Sequence, residues 1–249
     1  MKPVVKKKAA AARAPLVLVT GASQGLGEAV ALAFARRFRR VRLALVARNA
    51  DHLVAVAERC AALGADAHGF VCDVTDADAV SRLPAAVAKR FRAATPDIVV
   101  NNAGRFAPAR LADTPPELFD DLLAANLRSA YLVTRAFLPA FQKRASGDFI
   151  FISSICGKIG LDGCAAYTAA KHGLTGLAAA LRAETKGSAL RVTAIHPGAI
   201  DTPIWKDAPV SRDRLMSADG VAEAVVALAA LPPDVVAEDL LLRPGPGDF

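Results

Sequence analysis

The sequence predicts an α/β protein built on one doubly wound, seven-stranded parallel sheet with helices on both faces. Three observations carry this. Short apolar runs alternate with helix-period segments along the whole chain. The runs are nearly continuous in Val, Leu, Ile and Ala, as in strands buried on both faces. A glycine-rich turn, residues 20–27, joins the first apolar run to the first helical segment.

The elements follow in order. "PLVLVT" (15–20) reads as a buried strand, and 25–39 as a helix ending in a cluster of arginines, which suit a helix C-terminus. "VRLALVA" (41–47) and "AHGFVC" (67–72) are strands, followed by helices over 50–63 and 76–93. "DIVVN" (97–101) is a strand, and one long helical stretch covers 115–143. "DFIFISS" (148–154), "LRVTAIH" (190–196) and "EDLLLRP" (238–244) complete the strands, with helices over 164–186 and 217–230 between them. Repeated strand–helix alternation makes a parallel sheet.

Composition narrows the function classes. The 249 residues are 53% hydrophobic, enough for a substantial core. No apolar run reaches the roughly 20 residues needed to span a bilayer. The N-terminus has no apolar stretch of the secretory kind. Four cysteines, Cys60, Cys72, Cys156 and Cys164, form no C-x-x-C pair, so reduced thiols, no metal and a cytoplasmic location are expected. The net charge of +7 is uneven: five cations and no acid fall in the first fourteen residues. Residues 1–14 are read as a basic flexible tail and 15–249 as a single domain, with neither nucleic acid nor membrane as a partner.

The glycine loop points to phosphate. Gly21, Gly25 and Gly27 lie between a strand and a helix N-terminus, where free N–H groups and the positive dipole end attract an anion. A tight turn without ligand is the structural alternative.

"TGASQGLG" (20–27), "NNAG" (101–104), "AAN" (124–126), "SSICG" (153–157), "YTAAK" (167–171) and "HPGAIDT" (196–202) occur in this order. The set resembles the short-chain dehydrogenases/reductases of the compact single-domain branch, over roughly residues 15–245. The resemblance implies a Rossmann fold, a nicotinamide cofactor and a homodimer or homotetramer.

Cofactor choice turns on the end of the second strand. An acid there would bind an NAD ribose. This chain has Ala47 and then Arg48, whose guanidinium suits a 2′-phosphate. Ser23 can donate to the same phosphate, and Gln24 stands where many NADP-using relatives carry Lys or Arg. NADP(H) is therefore preferred, with NAD(H) the alternative. Leu26 completes the loop. By resemblance, Asp73 and Val74 contact adenine; Asp73 as a helix cap is the other reading. Asn101, Ala103 and Gly104 resemble the motif beneath the adenine ribose. Pro197, Gly198, Ile200 and Thr202 resemble the nicotinamide contacts.

Tyr167 and Lys171 are four apart on one helix and share a face. A phenol of pKa about 10 needs nearby positive charge to act as a base near neutrality, and the Lys171 ammonium, together with an oxidised nicotinamide, is expected to lower it. Tyr167 is the general acid/base. Ser154, chosen over Ser153 for its S-x-x-G spacing to Gly157, steadies charge on the carbonyl oxygen. By resemblance, Lys171 also binds the nicotinamide ribose, and Asn126 holds a water connecting Lys171 to solvent. His196 reads as structural. Residues 203–216 are where the family keeps its substrate lid.

The expected function is NADP(H)-dependent hydride transfer between nicotinamide and a small-molecule carbonyl or secondary alcohol. One alternative is a 3-oxoacyl-thioester reductase, for which Lys143, Arg144 and Lys186 could meet an acidic carrier protein. The other is a catalytically silent cofactor-binding regulator.

Overall fold

The computed structural model describes residues 14–92, 95–205, 211–245 and 247. The basic tail up to residue 13 and the centre of the expected lid, 206–210, lie outside them. The order is β1 (Leu16–Thr20), α1 (Gly25–Arg37), β2 (Arg42–Ala47), α2 (Ala50–Ala62), β3 (Asp66–Val71), α3 (Ala77–Phe91) and β4 (Ile98–Asn101). Then come α4 (Pro116–Leu123), α5 (Ser129–Arg144), β5 (Ser146–Ile152), α6 (Ala165–Glu184) and β6 (Ala189–Pro197). The chain continues with β7 (Ile200–Asp201), β8 (Met216–Ser217), α7 (Ala218–Ala229) and β9 (Asp239–Leu242).

Seven strands form one sheet in the order β3-β2-β1-β4-β5-β6-β9, and every neighbouring pair is parallel. This is the doubly wound Rossmann arrangement. Parallel strands need crossovers, and the helices supply them. Alternate residues of one strand feed two cores. Val17 and Val19 pack with α1, α2 and α7 on one face. Leu16 and Leu18 pack with α3, α5 and α6 on the other.

Local chemistry starts the helices where side chains can cap them. Asn49 accepts from the His52 N–H, Asp76 from Asp78 and Ala79, and Ser217 from Gly220. Two arginines of the expected cluster are engaged within the fold: Arg36 of α1 pairs with Asp219 and Glu223 of α7, and Arg42 of β2 donates to the Ala14 carbonyl.

Two features depart from the sequence expectation. The stretch read as one helix over 115–143 contains a π-helical turn, Ala124–Arg128, between α4 and α5. A separate two-stranded pairing, β7 with β8, closes the base of the 203–216 segment.

One buried ion pair fastens the C-terminal third. Arg191 and Asp148 face each other across β6 and β5, with Nε to Oδ1 at 2.7 Å and Nη2 to Oδ2 at 2.5 Å. The same guanidinium donates to the carbonyls of Ala229, Leu231, Pro232 and Val235, tying down the path from α7 to β9. Burial pushes the Asp148 carboxyl up, so it depends on its partner. Arg191→Ala is expected to cost about 3–5 kcal/mol, because an unpaired carboxylate is left inside. Urea unfolding measures this, and a loss below about 1 kcal/mol would contradict it.

Candidate active site

The order of strands reverses beside β1, between β1 and β4, and there the crossovers change face. Divergent loops open a crevice at such a point. A cleft of about 640 Å³ runs along the C-terminal ends of the strands. Its wall includes the glycine loop, the ends of β2 and β3, the segment after β4, and residues from 152–167 and 197–204.

The loop's shape rests on buried polar contacts. Thr20 Oγ1 accepts from the backbone N–H of Asn102 and of Ala103, each at 2.9 Å. Asn102 Nδ2 donates back to the Thr20 carbonyl at 2.9 Å. These bonds lock the end of β1 to the end of β4. Gly21 and Gly25 have φ of +65° and +58°, where a side chain is strained. Gly27 is required by space: a Cβ there would lie 2.2 Å from the Gly21 carbonyl oxygen and 2.6 Å from Asn102 Nδ2.

Gln24 occupies the N-cap position of α1 without capping it, so its exposed side chain stays available at the cleft. Arg48 is exposed and lines the same cleft, as do Ser23 and Leu26. Asp73 bonds the Thr75 N–H and hydroxyl, which hold its carboxyl below the usual range. Asp76, not Asp73, caps α3. Val74, Ala103, Gly104, Pro197, Gly198, Ile200 and Thr202 line the cleft.

Asn101 requires a correction. Its side chain is buried and donates to Thr134 Oγ1 at 3.0 Å, away from the cleft; Asn102 lines the cleft instead. Asn102, just past the end of β4, is the asparagine that reaches the cleft wall.

The two serines separate cleanly. Ser153 Oγ is engaged with the Lys171 carbonyl and Thr175 under α6. Ser154 Oγ accepts from the Cys156 N–H at 3.1 Å, and its hydroxyl acts on the Tyr167 phenol against the effect of burial. Gly157 explains the spacing, since a Cβ there would meet Ser153 Oγ at 2.4 Å and Thr175 Oγ1 at 2.7 Å.

Tyr167 is half-buried, with the Phe106 ring set edge-on at 5.0 Å. Lys171 is 4% exposed, donates from Nζ to the Ile152 carbonyl at 2.9 Å, and lies 5.6 Å from the Tyr167 ring centroid. Asn126 sits in the π-helical turn. It donates to the Leu122 and Arg105 carbonyls and accepts from the Arg105 N–H. It thereby holds the segment that follows β4, and a Cβ on Gly104 would lie 2.5 Å from its Oδ1.

In the chain alone burial pushes the Tyr167 phenol up, and Ser154 only partly offsets this, so Tyr167 is protonated at neutral pH. Burial also pushes Lys171 down to about 8. His196 is fully buried, bonded through Nε2 to Asp239 at 2.7 Å, in keeping with a structural role.

Sequence reasoning missed Thr20 and Asn102 as site-builders, although both are polar residues at apolar strand ends. Nothing in the pattern marked Phe106 or Arg105. Among the described residues, no group of three or more His, Cys, Asp or Glu side chains gathers to hold a metal. None of the described helices is long and apolar enough to cross a membrane.

Comparison with known proteins agrees with this geometry. The short chain dehydrogenase family model matches residues 15–212. A sepiapterin reductase of Chlorobaculum tepidum is 31% identical over 240 residues, covering 94% of this chain and 98% of the relative. An alcohol dehydrogenase from the archaeon Thermococcus sibiricus, complexed with 5-hydroxy-NADP, superposes with a TM-score of 0.87 at 30% identity, over 95% of this chain and 99% of the other. A single-substitution variant of actinorhodin polyketide ketoreductase with NADPH gives a TM-score of 0.86 at 30% identity, over 95% and 98%.

Two expectations follow from the geometry. Gly27→Ala should destabilise the ligand-free protein by more than Gly25→Ala, whose Cβ meets nothing closer than 3.5 Å. Thermal melts compare them, and equal losses would contradict the close-packing account. The second concerns Lys171. Between about pH 8 and 10.5 the unfolded chain holds a proton that the buried lysine has lost, so this group's contribution to stability rises with pH. Lys171→Met should therefore be the more stable protein at pH 7, and its advantage should shrink above pH 8. A difference that stays constant from pH 8 to 10 would contradict the assignment.

Proposed function

Because the chain belongs to the short-chain dehydrogenase family, we propose that it is an NADP(H)-dependent oxidoreductase acting on a carbonyl or its secondary alcohol. One observation carries the reading: Ser154, Tyr167 and Lys171 meet in the same cleft as a glycine cradle closed to any side chain at Gly27. The cradle and the helix N-terminus behind it suit a pyrophosphate. Arg48, Gln24 and Ser23 stand together where a 2′-phosphate would be read, with no acid at the end of β2. Arg48 would bind it through charge-assisted hydrogen bonds.

Bound NADPH supplies hydride to the carbonyl carbon. The chain's own residues handle the oxygen. The Ser154 hydroxyl donates a hydrogen bond to the carbonyl oxygen and steadies its developing charge. The protonated Tyr167 phenol gives its proton to that oxygen, completing the alcohol. The Lys171 ammonium, fixed beneath by Ile152, stabilises the phenolate left behind. Asn126 keeps the segment after β4 in place over Lys171.

The thioester-reductase alternative draws on the similarity to the polyketide ketoreductase. The basic residues that could meet a carrier protein do not favour it. Lys143 and Arg144 precede β5 and Lys186 precedes β6, at the edge opposite the cleft, roughly 20 Å away along a seven-residue strand. Arg144 is also engaged with Asp97 and the carbonyls of Thr95, Pro96 and Ser146. A silent regulator would have no need of a serine, a tyrosine and a buried lysine lining one cleft.

Tyr167→Phe should keep NADPH binding and lower turnover by at least about 10²-fold. Near wild-type rates would contradict the proton role. Arg48→Ala should raise the Kd for NADPH by about 10- to 150-fold and leave NADH nearly unchanged. Fluorescence titration with both cofactors decides, and equal losses would remove Arg48 from phosphate recognition.

A further inference from the structure

Beyond Tyr167 the cleft changes character. Phe106 stands edge-on to the phenol, and the thiols of Cys156 and Cys164 lie on the same wall. Ile159, Leu161 and Ile204 line the opening and are 44%, 44% and 54% exposed. Two loops build this compartment: the Ala109 N–H donates to the Gly163 carbonyl at 2.7 Å, and Ala109 pairs with Cys164. The 109 and 163–164 segments are therefore tied to each other through backbone.

Among the described residues, the ionisable lining residues with basic or acidic side chains are Arg48, His52, Asp73, Arg105 and Lys171. Arg48, His52 and Asp73 follow β2 and β3, at the glycine-loop end. Lys171 lies beneath Tyr167 and donates to the Ile152 carbonyl. Arg105 is turned to Asp121 at 3.3 Å. None of them belongs to the wall formed by Phe106, Cys156, Ile159, Leu161, Cys164 and Ile204. Burial pushes both thiols up, so they add no negative charge at neutral pH.

We infer that this compartment selects a ketone or aldehyde whose flanking groups are apolar and uncharged, aryl or alkyl, and discriminates against substrates carrying a carboxylate or phosphate beside the carbonyl. The inference rests on the carbonyl-reductase reading and specifies its substrate class. An apolar group covers three exposed aliphatic side chains and gains from their burial. An ionised group loses its water and meets no cation there among the described residues.

The test uses matched pairs that differ only in charge. Ethyl benzoylformate is compared with benzoylformate, and ethyl 3-oxobutanoate with 3-oxobutanoate, by NADPH consumption at saturating cofactor. The ester should exceed its acid in kcat/KM by at least about 5-fold, the lower bound for an unpaired buried polar group and less than an unpaired charge should give. Leu161→Lys places a cation at the exposed opening. It should narrow the ratio by several-fold, with the Kd for NADPH unchanged. Acids that match or exceed their esters would overturn the inference while leaving carbonyl reduction intact. A protein that binds NADPH and reduces neither member of any pair would overturn the carbonyl-reductase reading, and this inference with it.

Discussion

The hydroxyl of Thr20 is the contact on which the site depends. A parallel sheet leaves its strands' C-terminal ends free to diverge, and at the reversal of strand order they must. Here that divergence is limited by one buried oxygen that accepts two backbone N–H groups from the segment after β4. Asn102 returns a bond to the same residue. The glycine loop and the 102–106 segment are thereby set against each other, and Gly27 has no room for a side chain. From that fixed junction the chain runs through Gly104 to Asn126 and Lys171, so cradle and reacting groups share one frame.

The reacting groups are held against their own electrostatics. Water would keep Lys171 charged and Tyr167 at its ordinary acidity, yet burial drives the lysine down and the phenol up. A protonated tyrosine beside a lysine close to its titration point is poised to release a proton when negative charge develops on a neighbouring oxygen. The fold tolerates this cost because it is well anchored elsewhere, through two apolar layers and the Arg191–Asp148 pair. Stability given up at a functional site and recovered in the scaffold is a common arrangement.

Most of the fold was legible in the sequence because strand and helix periods are strong signals, and buried parallel strands read as unbroken apolar runs. Element ends moved by a few residues, as at β5, which stops at Ile152 rather than including the two serines. The π-helical turn at Asn126 was not legible, since it changes hydrogen bonding without changing the apolar pattern. Within the site, glycines, Ser154, Tyr167, Lys171 and Arg48 could be named because their chemistry is tied to position in a motif. Asn101 was misassigned by one residue, since only the structure shows which asparagine faces the cleft. Phe106 and the aliphatic opening were invisible because apolar residues in loops carry no marker of what they line. The upward push of burial on Tyr167 in the chain alone was not legible either, as burial of a phenol is a property of packing.

The central claim is that hydride from a bound nicotinamide and a proton from Tyr167 reach the two ends of one carbonyl bond in this cleft. Isotope transfer tests it most directly. With NADPH deuterated at both C4 positions and an apolar ketone in ordinary water, the product alcohol should carry one deuterium on its carbinol carbon, read by mass spectrometry and proton resonance. Alcohol formed by the enzyme with hydrogen at that carbon, drawn from solvent, would contradict the account.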